Sequence, residues 1–101
     1  MKDNSITKEF IIELIYSIID VHNQLNPDDL KLEKSLDTVL LGPMGNLDSL
    51  GFVNFLLEVE IIIKKNVFQT VCIVNEELFL DENGPYSNVR NLSEYIFKQI
   101  Q

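Results

Sequence analysis

The chain has 101 residues, which suits one compact domain spanning residues 1–101 and leaves little room for an enclosed active site. Hydrophobic residues make up 46% and charged residues 24%, a globular balance that argues against disorder. Asp and Glu outnumber Lys and Arg by 16 to 8, and the formal charge of -8 repels nucleic acid while attracting basic surfaces on other proteins.

The first helix is expected over residues 5–25, ended by Pro27. Helical spacing puts Phe10, Ile11, Leu14, Ile15, Ile18, Val21 and Leu25 on one side, with Ile12 and Ile19 widening that arc. Glu9, Glu13, Ser17, Asp20 and Gln24 gather opposite. Glu13 interrupts the apolar run, Asp20 follows it and no small-residue cleavage site appears. Neither a signal peptide nor a membrane span is therefore expected, and the default location is cytoplasmic. The wide arc predicts heavy burial; a monomer is expected, with the arc leaving a dimer open.

Residues 26–46 form a long connection broken by Pro27, Gly42, Pro43 and Gly45. Its Leu30, Leu32, Leu36, Val39, Leu40 and Leu41 are too many for a floppy linker. A loop packed over the core, containing a turn or two of helix, is the reading.

A second helix is expected over residues 48–64, with Asp48 as its N-cap. Residues 66–74 are ambiguous, because their β-branched side chains suit a strand that has no obvious partner. Asn75 can cap a short helix reaching Asp81, and residues 81–86 make a turn. The last helix is expected over residues 89–100, capped by Asn88 or Ser87, with Leu92, Tyr95, Ile96 and Ile100 buried. The sum is an all-α bundle of three longer helices and one short one.

Several chemical signals carry little weight. Cys72 is the only cysteine, so no internal disulfide or CxxC zinc site can form, and its apolar neighbours predict an inert buried thiol. His22 has no ligand-type residue at i±4 and reads as a packed or interface histidine. Asp81-Glu82-Asn83-Gly84 lacks the remaining ligands of a calcium loop, and Asp28-Asp29 is a solvated turn pair. Gly42-Pro43-Met44-Gly45 lacks the Lys and Ser/Thr of a phosphate loop. No catalytic residues and no metal site are expected, and no nucleophile–base pair can be assembled for an enzyme.

The second helix divides its apolar residues. With Ser49 at zero, Phe52, Phe55, Leu56, Val59 and Ile63 fall between about 240° and 340°, a core face. Leu50, Val53, Leu57 and Ile61 fall between about 40° and 120°. That second group needs its own cover, either another packed segment of the chain or a partner.

The run from Leu41 through Gly45, Asn46 and Leu47 to Asp48-Ser49-Leu50, continuing to Leu56, Leu57, Glu58, Val59 and Glu60, resembles the signature of the acyl carrier proteins. Residues 26–37 resemble that family's segment between its first two helices, and residues 88–96 its closing helix. The resemblance covers most of the chain in the family's order. It implies an acyl-carrier-like four-helix bundle with a long loop between helices one and two, and a non-catalytic function.

The resemblance also implies that Ser49 carries a covalent 4′-phosphopantetheine whose terminal thiol, not Cys72, holds acyl or aminoacyl cargo as a thioester. The macrodipole at a helix start favours such an anionic phosphate by tenths to about 1 kcal/mol. Implied partners are a phosphopantetheinyl transferase, an acyl- or aminoacyl-activating ligase, and downstream transferases or synthases of a biosynthetic pathway. Asp48, Leu50, Val53, Leu57 and Glu60 occupy the positions read by partner enzymes. The chain departs from the family in three places. Gly51, Phe52 and Asn54 replace acidic residues, the loop before Ser49 is longer, and residues 67–86 are longer and more apolar. These departures suggest a specialised carrier; the alternative is a carrier-fold interaction module without a prosthetic group.

Overall fold

The computed structural model describes residues 6–26, 31–40, 47, 49–67, 71–81 and 83–100. Three α-helices appear in order: α1 (Lys8–Leu25), α2 (Ser49–Val67) and α3 (Val89–Ile100), with a short 3-10 helix at Glu76–Leu80 before α3. Among the described residues there is no named strand, only an isolated antiparallel bridge between Val39 and Asn88. The architecture is all-helical, and α1 packs against both α2 and α3.

Helix α1 begins at Lys8, later than the expected Ser5, because Thr7 stands in extended backbone and caps it. The Phe10 N–H donates to Thr7 Oγ1 at 3.1 Å, satisfying a donor that the helix leaves unpaired. Ile11, Ile15, Ile18 and Ile19 form the buried stripe. Each fully buried isoleucine contributes about 1.5–3 kcal/mol relative to exposure. The apolar arc outlasts the core, because Val21 is 48% and Leu25 78% exposed.

Helix α2 follows the division read from its sequence. Phe52, Phe55, Leu56, Val59 and Ile63 are all buried, while Leu50, Leu57 and Ile61 are exposed. It runs three residues past the expected Lys64 and ends on the buried Val67.

Helix α3 has the expected bounds. Val89, Leu92 and Ile96 are fully buried, whereas Tyr95 and Ile100 are half-buried. Asn88 Oδ1 accepts from the Asn91 N–H at 2.8 Å, which makes Asn88 the cap. The Val89 and Arg90 N–H groups donate to the carbonyls of Thr38 and Leu36. The start of α3 is thereby closed by residues 36–40, which arrive from the other end of the sequence.

Residues 31–40 contain no helix, the rest of the 27–46 connection lies outside the described residues, and the described part packs as expected. Leu32 and Leu40 are buried in the core, and Leu36 lies against it. Asn23 on α1 grips the Leu32 backbone from both sides, accepting its N–H and donating to its carbonyl, each at 2.8 Å. The side-chain amide of Asn23 replaces the strand partner that Leu32 lacks. Residues Leu30 and Leu41 lie outside the described set.

Residues 71–75 form no regular element, and Asn75 stands in extended backbone. Burial alternates along them as in a strand, with Val71 and Ile73 buried and Cys72 between them exposed. The buried thiol expected from the apolar run is therefore corrected: alternation outranks the hydrophobicity of the neighbours. Asn75 caps the 3-10 helix as expected, its Oδ1 accepting from the Glu77 N–H at 3.0 Å. Asp81 Oδ1 accepts from the Asn83 N–H, and Gly84 closes the turn on the Asp81 carbonyl. A Cβ at Gly84 would lie 2.5 Å from Asp81 Oδ2, so this close approach needs glycine.

Candidate functional site

Ser49 is the first residue of α2. Asp48, its expected cap, lies outside the described residues, as does the preceding segment 41–46. Leu47 is half-buried and packs against the core, and Phe52 in the first turn is 2% exposed. The helix start is thus anchored from beneath on both sides of Ser49. The Phe52 ring meets Tyr86 and Phe79 edge-on, with centroids 5.2 and 5.8 Å away. Edge-to-face pairs of this kind add about 0.5–1.5 kcal/mol beyond burial. The first turn of α2 holds no acidic residue.

Tyr86 is the keystone of this aromatic group and was not singled out by sequence reasoning. It is fully buried; its hydroxyl donates to the Ile73 carbonyl and accepts from the Asn75 N–H at 2.8 Å. Burial pushes its pKa up to about 12, partly opposed by the Asn75 hydrogen bond. Burial also raises Tyr95, whose ring lies 6.4 Å from that of Tyr86. The ring of Tyr86 supports α2 while its hydroxyl fixes residues 73–75.

Of the positions assigned to partner contact, Leu50 is 70% and Leu57 43% exposed, and Val53 is half-buried. Ile61 continues the strip at 49%. Glu60 is engaged within the chain: its Oε1 accepts from the Ile73 N–H at 2.9 Å and its carboxylate lies 3.4 Å from Lys64 Nζ. The structure therefore brings Leu50, Leu57 and Ile61 together on one outward strip, and turns Glu60 toward residues 71–75.

A second feature flanks the helix start. An open cleft runs between the C-terminal half of α1 and the first half of α2, lined by Ile18, Val21, His22, Leu25, Asn26, Gly51, Asn54, Phe55 and Glu58. Gly51, Asn54 and Glu58 lie between about 140° and 200° around α2 from Ser49, a sector between the core and the outward strip. The signal for it was in the sequence, because Val21 and Leu25 extend the apolar arc of α1 past the residues that α2 covers. His22 is half-buried at this cleft, and Asn26 Nδ2 donates to its carbonyl at 2.8 Å. A packed histidine is what its sequence position predicted.

Among the described residues no group of three or more His, Cys, Asp or Glu gathers to hold a metal ion. No described helix is long and apolar enough to cross a membrane. No protein-family model matches the chain, and neither a curated protein nor a solved structure is similar enough to it to count as a match.

Proposed function

We propose that this chain is a carrier protein of the acyl-carrier type, which holds acyl or aminoacyl intermediates as thioesters on a 4′-phosphopantetheine arm at Ser49. The observation that carries the reading is the placement of Ser49, within Asp48-Ser49-Leu50, as the first residue of a core-anchored helix. Helix starts favour attached phosphate, because early N–H groups lack intrahelical partners and the macrodipole is positive there. From Ser49 onward the first turn of the helix carries no acidic side chain to repel that phosphate. The residues present thus fit the group. When bound, the arm supplies the thiol that forms the thioester; the chain itself anchors the arm and offers the docking strip.

In this reading the 3-10 helix is the fourth element of an acyl-carrier-like bundle, and residues 26–46 are its long loop. The strip of Leu50, Leu57 and Ile61 is where the transferase, the acyl- or aminoacyl-activating ligase and downstream synthases dock. The flexible arm raises the local concentration of cargo at each partner in turn. The chain does not act as an enzyme, and its partners are cytoplasmic.

The same exposed strip also suits an interaction module that lacks the arm, and one experiment separates the two. The folded chain is incubated with coenzyme A and a broad-specificity phosphopantetheinyl transferase, alongside Ser49→Ala, and both are weighed intact. A gain of one phosphopantetheine by the parent alone supports the carrier. No gain by a folded parent with several transferases supports the module instead.

A further inference from the structure

The cleft between α1 and α2 has a volume of about 500 Å³, within the range of small-molecule sites. Ile18 and Phe55, both buried, give it an apolar floor, and the exposed Val21 and Leu25 form one wall. Gly51, without a side chain, leaves room on the α2 wall. Asn54 and Glu58 stand one turn apart on that wall, exposed, and make no hydrogen bond or ion pair among the described residues. Among the described residues no Lys or Arg lines the cleft, and Glu58 is the one carboxylate there.

Resting on the carrier reading, we propose that this cleft receives the cargo, and that the cargo it fits is an apolar group bearing a cationic amine, such as an aminoacyl group. Charge complementarity selects the class. A plain hydrocarbon chain would cover Asn54 and Glu58 without pairing them, which is unfavourable for polar groups taken from water. An anionic group would face Glu58 with no lysine or arginine among the described lining residues to offset it. An ammonium group pairs with Glu58 and Asn54 while its apolar body lies on Ile18, Val21 and Phe55. The site is also within reach, since its α2 wall begins at Gly51, about 3 Å along the helix axis from Ser49.

The test has two arms, both read from backbone amide shifts of the full chain by NMR. In the first, the unmodified protein is titrated with hexylammonium and with 1-hexanol. The amine is expected to bind more tightly than the alcohol and to shift His22, Leu25, Gly51, Asn54 and Glu58. Glu58→Gln is expected to weaken the amine about threefold to fivefold, the scale of an exposed ion pair, and leave the alcohol unchanged. Glu77→Gln, at an exposed position off the cleft, is the control and should change neither. In the second arm, Ser49 is loaded with 6-aminohexanoyl or hexanoyl pantetheine analogues, and only the amine-bearing cargo should shift the same amides. Equal affinity for amine and alcohol, or indifference to Glu58→Gln, overturns the assignment. Loading that succeeds without cleft shifts removes the cleft from the account and leaves the carrier reading intact. Failure to load at all, with the free amine still mapping to the cleft, overturns the carrier reading and the cargo assignment with it.

Discussion

Replacing Tyr86 by Phe deletes one oxygen atom from the centre of the structure and leaves the ring in place. That oxygen satisfies the Ile73 carbonyl and the Asn75 N–H, in a residue with no exposed surface. A buried group left without its partner costs about 1–3 kcal/mol, and a partly buried one that water can reach about 1 kcal/mol. The substitution should therefore destabilise the chain by about 2–4 kcal/mol, a large share of the 5–15 kcal/mol typical of a domain. At this size the melting temperature should fall by roughly 10–20 °C. Urea titration at pH 7, followed by circular dichroism, measures the loss directly. A loss below about 0.5 kcal/mol would refute the assignment of Tyr86 as the tie between residues 73–75 and the bundle. The same tyrosine sets a pH dependence. Its pKa is raised to about 12 in the folded chain, so its contribution is complete below pH 10 and is lost as pH rises toward 12. Two units correspond to at most about 3 kcal/mol, and Tyr86→Phe should remove most of this alkaline loss.

Three further outcomes follow from the packing. Glu60→Ala should cost about 1–2 kcal/mol, through the Ile73 N–H it leaves unpaired, and should speed hydrogen exchange at that amide; unchanged exchange there would show that Glu60 does not hold residues 71–75. Cys72 should react with a thiol reagent in the native protein at the rate of an exposed thiol, whereas reaction only after unfolding would restore the buried reading. Leu57→Glu should leave stability within about 0.5 kcal/mol yet lower kcat/KM of the transferase tenfold or more. By contrast Leu56→Ala, fully buried one residue earlier, should cost about 2–5 kcal/mol. Equal destabilisation by the two changes would contradict the division of α2.

Periodicity made the helices legible, because a helix buried on one side writes its core face into every third or fourth residue. Phe52, Phe55, Leu56, Val59 and Ile63 on α2 are buried as that pattern requires, and Asn88 caps α3 as its position before Val89 suggests. What escaped the sequence depends on contacts between distant segments. Nothing local to Asn23 announces that it will grip Leu32, or that Thr38 and Leu36 will close the start of α3. The exposure of Cys72 follows an alternating burial that the sequence could not announce, because residues 66–74 suit a strand with no obvious partner. Only the family resemblance assigns Glu60 to partner contact. Its hydrogen bond to the Ile73 N–H depends on residues 71–75 returning across that side of the helix, a long-range contact that helical spacing cannot contain. The candidate site divides the same way: a helix start at Ser49 and the exposed strip of Leu50, Leu57 and Ile61 were legible, whereas the cleft, hinted at by Val21 and Leu25, needed the relative placement of α1 and α2 to take shape.

The central claim is that Ser49 bears the arm, and tandem mass spectrometry of the full chain after the transferase reaction tests it most directly. The account predicts one phosphopantetheine per chain, located on the fragment containing Ser49 and absent from Ser49→Ala. A folded parent that stays unmodified with several transferases, or an adduct on Cys72 or on another serine, would contradict it.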